Sequence, residues 1–368
     1  YSNLGNILKS QGKLKEAEIS YRNAIKINPN FINAHFNLGN TFKSQGKLKE
    51  AEISYRRVTE LKPNYAAAHF NLGDVLKDIG KWEEAEISYR NAIKLNSEIA
   101  EAHLNLGNIL QSLGKWKEAE SSTRRTIELN PNFAEAHLNL GNILQNLENF
   151  KEAENSYRRA IELKPNYIEA HLVLAIFFRN LGKLKEAEFF TRKVIKLNPR
   201  LADAYSNLGG ILISTGQLEK AKLSLLKAID LNHNFSRVFY LLSTLNSSSK
   251  DQEWQDRLFS EHLLKNLSIR DQIFIYFARA NILHKDKNFK ESAINLKKAN
   301  DLKSTLNPTE HESLIKKSKD LFITFKRTKI NEEVYAKYPQ SIFIVGMPRS
   351  GSTLVESILS MNPNVQDL

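Results

Sequence analysis

The sequence repeats itself every 34 residues over most of its 368-residue length. A leucine keeps this step at Leu4, Leu38, Leu72, Leu106, Leu140, Leu174 and Leu208, and an alanine keeps it at Ala17, Ala51, Ala85, Ala119, Ala153, Ala187 and Ala221. A glycine keeps it from Gly12 to Gly216, with Glu148 as the exception. A unit of this length cannot bury its apolar face alone, so neighbouring units must stack. We therefore predict a solenoid with a concave surface.

Each unit has the pattern of a helical hairpin. The apolar residues of one first helix follow i, i+3, i+4, i+7 spacing at Leu106, Ile109, Leu110 and Leu113. Gly114 comes next, and glycine tolerates the left-handed turn that ends a helix. A second helix is predicted over KWKEAESSTRRTIEL. Pro131 follows it and stops helix propagation, because proline has no N–H to donate.

The step and these landmarks resemble the tetratricopeptide repeat (TPR), over residues 1 to about 235. The resemblance implies an all-α superhelix of about seven repeats. From residue 236 the repeat pattern becomes irregular, so we predict degenerate helical repeats and a charged connector over residues 236–330. Residues 331–368 change character and are predicted to begin a further domain.

Two rows of polar side chains recur on the predicted concave surface. The first row is Asn3, Asn37, Asn71, Asn105, Asn139 and Asn207, interrupted at Val173, and the second row is Asn6, Asn40, Asp74, Asn108 and Asn142. An asparagine amide carries both donors and an acceptor, so the first row is predicted to bind a peptide main chain without reading its sequence. It resembles the asparagine ladder in the TPR region of O-linked N-acetylglucosamine transferases. The alternative is that these residues are repeat consensus only.

Two further series lie on the same helices. Lys9, Lys43 and Lys77 would suit an acidic partner, although lysines on a helix surface are commonly just solvated. A histidine also recurs at His35, His69, His103, His137 and His171. Successive repeats stack about 10 Å apart, whereas zinc needs its nitrogen ligands at about 2 Å. We therefore predict packing histidines and no metal site.

The C-terminal sequence SIFIVGMPRSGSTLVESILSMNPNV has the pattern of a strand, a glycine-bearing loop and a helix. The strand is predicted over residues 342–345, the loop over 346–352 and the helix over 353–361. Such a loop and helix end converge on phosphate-like groups. Gly346 and Gly351 have the spacing of a nucleotide-binding P-loop, but Ser352 stands where its lysine is expected. This departure argues against an ATPase or a kinase.

The sequence PRSGST followed by leucine instead resembles the 5′-phosphosulfate-binding loop of sulfotransferases. The longer form FIVGMPRSGSTLVESIL is most similar to tyrosylprotein sulfotransferases and to bacterial proteins that join TPR arrays to such a domain. The resemblance implies a P-loop-like α/β domain with 3′-phosphoadenosine 5′-phosphosulfate (PAPS) as co-substrate. It implies Arg349 as the catalytic residue, neutralising charge on the leaving group. The N–H groups of Ser350, Gly351 and Ser352, with the hydroxyls of Ser352 and Thr353, would hold the 5′-phosphate.

The family's catalytic glutamate, 3′-phosphate site and acceptor pocket have no match before Leu368. We therefore expect a fragment of a longer sulfotransferase, inactive by itself, whose TPR array binds the protein or peptide partner. Protein tyrosine is one possible acceptor. A TPR interaction scaffold without catalysis is the alternative, and a nucleoside triphosphatase or kinase is a further one.

Composition limits the remaining classes. The chain has no cysteine, which excludes disulfides, thiolate metal sites and cysteine nucleophiles, and fits a reducing, cytoplasmic location. No apolar run approaches the roughly 18 residues of a membrane span. The formal charge is +12, but no aromatic and basic platform accompanies it, so we expect no nucleic-acid partner. An anionic cofactor or an acidic peptide explains the charge equally well.

Overall fold

The structure is a computed structural model, and it describes residues 1–245, 252–265 and 267–306. The regular elements in these ranges are all helices, as the sequence pattern predicts. The chain divides into two compact units, residues 1–299 and residues 300–368, and the packing described below belongs to the first. The predicted domain limits at residues 235 and 330 stay predictions.

Seven helical hairpins follow one another within residues 2–231. The first helices are α1 (Ser2–Ser10), α3 (Ile32–Ser44), α5 (Ala66–Ile79), α7 (Ala100–Ser112), α9 (Ala134–Asn146), α11 (Ile168–Asn180) and α13 (Ala202–Ser214). The second helices are α2 (Leu14–Ile27), α4 (Leu48–Leu61), α6 (Trp82–Leu95), α8 (Trp116–Leu129), α10 (Phe150–Leu163), α12 (Leu184–Leu197) and α14 (Leu218–Leu231).

The turn inside each hairpin needs a left-handed residue. Gly114 has φ of 72° and ends the first helix of its unit as predicted. Its N–H donates to the carbonyl of Gln111 at 3.0 Å, and the N–H of Lys115 donates to Leu110 at 2.8 Å. These two bonds satisfy carbonyls that the helix end leaves free. Glu148 keeps the same turn with φ of 61°, although it has a side chain.

The two helices of most hairpins meet at a glycine. A Cβ added to Gly39 would lie 2.8 Å from the ring of Tyr55, and one added to Gly141 would lie 2.5 Å from the ring of Tyr157. Both tyrosine rings are fully buried. The glycine therefore makes room for an aromatic side chain of the second helix. The alanine series noted in the sequence is also fully buried, beside this contact.

Hairpins stack because each second helix packs against the first helix of the next unit. The backbones of neighbouring first helices also approach each other, as α1 with α3 and α7 with α9. Asparagine side chains bridge these first helices, and ion pairs such as Lys47 to Glu18 join second helices, whose backbones approach each other less closely. The first helices therefore lie on the inner side of the stack. We call the surface that carries the two polar rows the inner face.

After residue 235 the hairpin pattern changes. The helices are α15 (Ser236–Thr244), α16 (Gln252–Phe259), α17 (Ile269–Lys285) and α18 (Phe289–Leu306), with a 3-10 helix at Glu261–Leu264. The pair α17 and α18 keeps the hairpin contact, since the Ser292 hydroxyl donates to the Ala280 carbonyl at 2.9 Å. Lys287 has φ of 60° at the turn. Phe289 and Leu296 of α18 are 59% and 39% exposed, which agrees with the degenerate repeat predicted for this range.

Within the described ranges, no helix combines the length and apolar character that crossing a membrane requires. The predicted strand, loop and helix over residues 342–361 lie outside the described residues.

Candidate functional site: the inner face of the repeat array

The first asparagine row lies along the inner face and bridges neighbouring repeats. Asn37 donates its amide Nδ2–H to the Oδ1 of Asn6 at 2.9 Å, and Asn139 donates to Asn108 at 2.7 Å. Asn71 donates to Asn40 at 3.2 Å. Asn105 donates to the carboxylate of Asp74 at 3.0 Å. Each of these four side chains is therefore held by the second row of the repeat before it.

The second row also accepts from a buried tyrosine of its own hairpin. The hydroxyl of Tyr55 donates to Asn40 Oδ1 at 2.7 Å, and that of Tyr89 donates to Asp74 Oδ1 at 2.8 Å. Burial raises the pKa of Tyr89, and the Asp74 carboxylate raises it further. The hydroxyl therefore stays protonated as a donor. One oxygen thus joins both helices of a hairpin to the next repeat.

These bonds leave part of each first-row amide available. Asn37, Asn71, Asn105 and Asn139 are half-buried, so their side chains reach the surface. An asparagine amide has two N–H donors and one carbonyl acceptor, and the bridge uses one donor. In the described part of the chain, the side-chain carbonyls of these four amides accept no hydrogen bond, and the Asn105 amide also hydrogen-bonds to the Tyr89 side chain. The peptide-binding role predicted for Asn37, Asn71, Asn105, Asn139 and Asn207 stays a prediction, and the structure supplies a fixed orientation for four of them.

The rows are interrupted near the sixth and seventh repeats. Val173 replaces the first-row asparagine, and Gly210 stands in register with the second row. Asn207 is buried, and its Oδ1 accepts a hydrogen bond from Arg179 Nη1 at 2.9 Å. Asn207 therefore differs from the other first-row residues, because its carbonyl is engaged by an arginine.

The three lysines predicted for an acidic partner have different surroundings. Lys43 Nζ lies 2.7 Å from Asp74 Oδ2, so this cation already has a counter-ion. Burial lowers the pKa of Lys9. Lys77 is half-buried on the same face. In the described part of the chain, neither Lys9 nor Lys77 has a recorded ion pair.

The histidine series has a local structural role. The Nε2–H of each ring donates to the carbonyl of the residue six positions earlier, as in His35 to Pro29 at 2.9 Å and His171 to Pro165 at 2.8 Å. The carbonyl can only accept, so Nε2 carries the proton. These bonds attach the inter-repeat loop to the next first helix. Within the described ranges, no group of three or more histidine, aspartate or glutamate side chains is placed to hold a metal ion.

Sequence reasoning missed the ion pairs that join second helices. Glu52 contacts Lys81 at 2.7 Å and Arg56 at 2.9 Å, and Glu86 contacts Lys115 at 2.8 Å and Arg90 at 2.9 Å. Burial would raise the pKa of Glu52, but its hydrogen bonds and charge contacts with Lys81 and Arg56 outweigh burial and lower it. The 34-residue recurrence of glutamate at Glu18, Glu52 and Glu86 was the available signal.

The predicted catalytic and cofactor-binding residues Arg349, Ser350, Gly351, Ser352 and Thr353 lie outside the described residues. Their roles stay predictions.

Comparison with protein families gives matches in two parts of the chain. Models described as TPR repeat match residues 5–46, 39–80 and 73–114. Models described as tetratricopeptide repeat match residues 100–133 and 134–167, and residues 168–201 and 202–235. A model described as sulfotransferase family matches the short range 339–367. No curated protein matches the chain.

Solved structures similar to this chain include two that are described as TPR or tetratricopeptide repeat proteins. A tetratricopeptide repeat protein from Parabacteroides merdae is 25% identical, with a TM-score of 0.52, covering 65% of this chain and 95% of its own. YrrB, described as a TPR protein with an unusual peptide-binding site, is 28% identical, with a TM-score of 0.42, covering 49% of this chain and 93% of its own. MamA is 25% identical, with a TM-score of 0.44, covering 45% of this chain and 96% of its own.

The repeat landmarks, the stacked hairpins and the matching family models agree over the same range. The predicted all-α solenoid is confirmed there, and such arrays serve as scaffolds for protein–protein interaction. Residues 5–235 of this chain are tetratricopeptide repeats.

Proposed function

We propose that the repeat array holds an extended segment of a partner protein along its inner face. The observation that carries this proposal is the row of half-buried asparagines, each fixed by one amide N–H and open at its carbonyl. Neighbouring first helices pack about 10 Å apart, and an extended chain advances about 3.3 Å per residue. One asparagine therefore meets about every third residue of the partner. Such contacts bind the main chain of the partner and do not select its side chains.

A binding experiment tests this role. A fluorescent pool of degenerate neutral peptides, made of Gly, Ala, Ser, Thr and Tyr, is titrated with the 368-residue chain, and anisotropy is recorded. The triple variant Asn71→Ala/Asn105→Ala/Asn139→Ala should weaken binding at least about tenfold, since each hydrogen bond contributes about 0.5–1.5 kcal/mol.

The control is Asn155→Ala, which changes an exposed asparagine on a second helix. Circular dichroism establishes that each variant is folded before titration. If the folded triple variant binds the pool as tightly as the Asn155→Ala control, the asparagine row is not the binding surface.

A second function is favoured by a separate observation, the sulfotransferase-family match over residues 339–367. We propose that the protein transfers a sulfuryl group from PAPS to an acceptor held by the array. These residue types suit the phosphosulfate group of PAPS, because the Arg349 guanidinium carries a permanent positive charge. Ser352 and Thr353 supply hydroxyl donors. Sulfuryl transfer resembles phosphoryl transfer, in which positioning and charge neutralisation dominate. PAPS would supply the activated sulfate, and Arg349 would stabilise charge on its leaving group.

Radiolabelled PAPS incubated with the protein expressed from its gene tests this role, with mass spectrometry to identify the sulfated acceptor. Arg349→Ala should lower the rate about 100-fold or more. Binding of adenosine 3′,5′-bisphosphate should exceed binding of ATP. A preference for ATP would support the nucleoside triphosphatase or kinase alternative. If the protein neither transfers sulfate nor binds either nucleotide, the interaction scaffold without catalysis is supported.

We also propose a cytoplasmic location, because a chain without cysteine suits a reducing compartment. Fractionation of cells that express the protein from its gene, followed by immunoblotting, tests it.

A further inference from the structure

Second helices form the outer side of the stack, opposite the inner face. Between α2 and α4, over α3, this side has a cavity of about 620 Å³. Charged residues of the two second helices line it, among them Arg22, Lys26, Glu50 and Arg57. Arg57 also donates to Asn30 Oδ1, in the loop after α2, at 2.9 Å. We call the space between neighbouring second helices an outer groove, and these five residues, in chain order, define its five polar positions.

The same positions meet across later outer grooves. Arg124 of α8 and Glu152 of α10, at the first and fourth positions, are 2.6 Å apart. Glu98 and Arg125, at the third and fifth positions, are 3.1 Å apart. The 34-residue register therefore identifies which side chains share an outer groove.

The sixth outer groove, between α12 and α14, has a cation at every polar position. These are exposed residues, namely Arg192, Lys196, Arg200, Lys220 and Lys227. Each of the first five outer grooves has at least one glutamate at these positions, as Glu50 in the first. Acids of the two helices, such as Glu188 and Asp230, occupy other positions. The sixth groove therefore concentrates positive charge that the earlier grooves balance.

The packing beneath the sixth groove continues the array. Ile195 of α12 packs against a cluster of three buried residues, Leu208 and Leu212 of α13 and Ala221 of α14. These contacts hold α12 and α14 over α13, as α2 and α4 lie over α3. The five cations therefore border one groove.

The chain supplies few partners for these cations. Arg192 pairs with Glu188 of its own helix at 2.7 Å, and Lys220 donates to Gln217 at 3.0 Å. Within the described ranges, no ion pair is recorded for the other three, which are Lys196, Arg200 and Lys227. An external anionic surface can therefore reach them.

Two large apolar side chains stand out from the helices beside the sixth groove. Phe189 of α12 is 60% exposed, and Leu223 of α14 is 69% exposed. Leu223 is the equivalent of Ile53, which lines the cavity of the first groove. Ile53 and Ile87 are also exposed, but they border grooves that carry glutamate. Only the sixth of these grooves therefore combines protruding apolar side chains with cations at all five positions.

This combination suits the surface of an anionic lipid bilayer. Lysine and arginine side chains are attracted to anionic headgroups, and apolar side chains enter the boundary between headgroups and acyl chains. A single-stranded nucleic acid would also attract the cations, but it stacks its bases on aromatic rings and has no such use for the aliphatic Leu223. Because the surface lies on the outer side, a bilayer there leaves the inner face open.

We propose that the outer groove between α12 and α14 binds the surface of a bilayer that contains anionic lipid. Its five cations contact the headgroups, and Phe189 and Leu223 enter the interface between them. This inference goes beyond peptide binding and sulfuryl transfer and rests on neither, so its failure would leave both proposals standing.

Vesicle sedimentation with the 368-residue chain tests the proposal. The vesicles are either phosphatidylcholine alone or phosphatidylcholine with about 30% phosphatidylserine. The chain should bind the phosphatidylserine vesicles at least about tenfold more tightly, and added salt should weaken this binding because it screens exposed charges. Equal binding to both kinds of vesicle, or binding to neither, would overturn the proposal.

A pair of double variants locates the charge that matters. Lys196→Gln/Lys227→Gln should weaken binding to phosphatidylserine vesicles at least about tenfold, since each cation near an anionic surface contributes a factor of roughly five. The matched control Lys26→Gln/Lys94→Gln removes the same charge from exposed residues of grooves that carry glutamate. It should bind within about twofold of wild type. Circular dichroism establishes that both variants are folded, and equal losses would mean that the total charge of the chain attracts the vesicles, which overturns the proposal.

Phe189→Ser/Leu223→Ser distinguishes a bilayer from a soluble polyanion. It should weaken vesicle binding at least about tenfold, because two apolar side chains no longer leave water on binding. The control Ile53→Ser/Ile87→Ser changes equally exposed positions and should stay within about twofold. An RNA of about 20 nucleotides is titrated in parallel. If the Phe189→Ser/Leu223→Ser variant binds vesicles as wild type does, while RNA binding depends on Lys196 and Lys227, the groove binds a soluble polyanion and the proposal is overturned.

The absence of cysteine from the chain allows a fluorescent label at a single chosen position. Leu223→Cys and, as control, Ile53→Cys each carry a nitrobenzoxadiazole label, whose emission rises and shifts to shorter wavelength when it leaves water. Phosphatidylserine vesicles should produce this change at position 223 and not at position 53. No change at position 223, or the same change at both positions, would show that this groove does not face the bilayer.

Discussion

Tyr89 donates its hydroxyl to Asp74 Oδ1 at 2.8 Å, and this bond is the centre of a junction between three repeats. The same oxygen accepts the amide of Asn105 from the following repeat at 3.0 Å. The other carboxylate oxygen accepts the Lys43 ammonium from the preceding repeat at 2.7 Å. The junction therefore couples the folding of neighbouring units, although each hairpin has its own buried contact.

Asp74→Ala should lower the free energy of unfolding by about 1–3 kcal/mol, because the buried Tyr89 hydroxyl and the Asn105 amide lose their acceptor. Asp74→Asn is the matched variant. It keeps an acceptor of the kind that Asn40 supplies to Tyr55, and loses only the partly exposed Lys43 ion pair. It should therefore cost less than about 1 kcal/mol. Urea unfolding followed by circular dichroism measures both, and equal losses would mean that the ion pair dominates the junction.

Gly141→Ala should destabilise the chain by about 1–3 kcal/mol, because its Cβ would lie 2.5 Å from the buried Tyr157 ring and force the packing apart. Gly107→Ala faces the smaller Thr123, whose hydroxyl can rotate away. It should be neutral or stabilising, since alanine favours a helix over glycine by about 1 kcal/mol. The sixth repeat already has Ala175 and Thr191 at the positions equivalent to Gly107 and Thr123. Thermal unfolding distinguishes the two, and similar melting temperatures would contradict the steric account.

Glu148→Gly should raise the free energy of unfolding by about 0.5–1 kcal/mol. The residue has φ of 61°, and a left-handed backbone costs a residue with a side chain about 1–2 kcal/mol. The greater freedom of glycine in the unfolded chain offsets part of the gain. Glu148→Ala keeps a Cβ, and therefore the cost of the left-handed backbone, so its free energy of unfolding should not rise. Chemical denaturation measures the difference, and a gain in the alanine variant would point to removal of the charge instead.

Stability should fall in acid partly through Glu52. Burial would raise its pKa, but Lys81 and Arg56 hold that pKa below its ordinary value. A carboxylate with a lowered folded pKa stabilises the fold fully above its unfolded pKa of about 4.3. That contribution is lost as pH falls through the lowered folded value. Urea unfolding over a pH series should show a weaker acid loss in Glu52→Gln than in wild type, whereas the exposed Glu101→Gln should keep the full loss. If the free energy of unfolding fell with pH as steeply in Glu52→Gln as in wild type, this prediction would be wrong.

Much of the helical architecture could be predicted because its causes are local. The apolar spacing in α7 and the left-handed turn at Gly114 depend on residues close in the chain, and the structure confirms both. The periodic rows were predicted to share one face, and the bond between Asn37 and Asn6 places them there. The C-terminal motif around Arg349 was also read from local spacing, and its role stays a prediction.

By itself, the sequence determined the repeat, its helices and turns and the face that carries the asparagines, since a 34-residue period repeats the same local chemistry in every unit. Only the tertiary structure decided which atoms those side chains use. The stacking of hairpins places Asn105 on Asp74 and Arg179 on Asn207, because the distance between repeats depends on packing at every earlier interface. Spacing along the chain identifies which residues share a face, whereas stacking determines which of their donors, acceptors and charges remain for a partner.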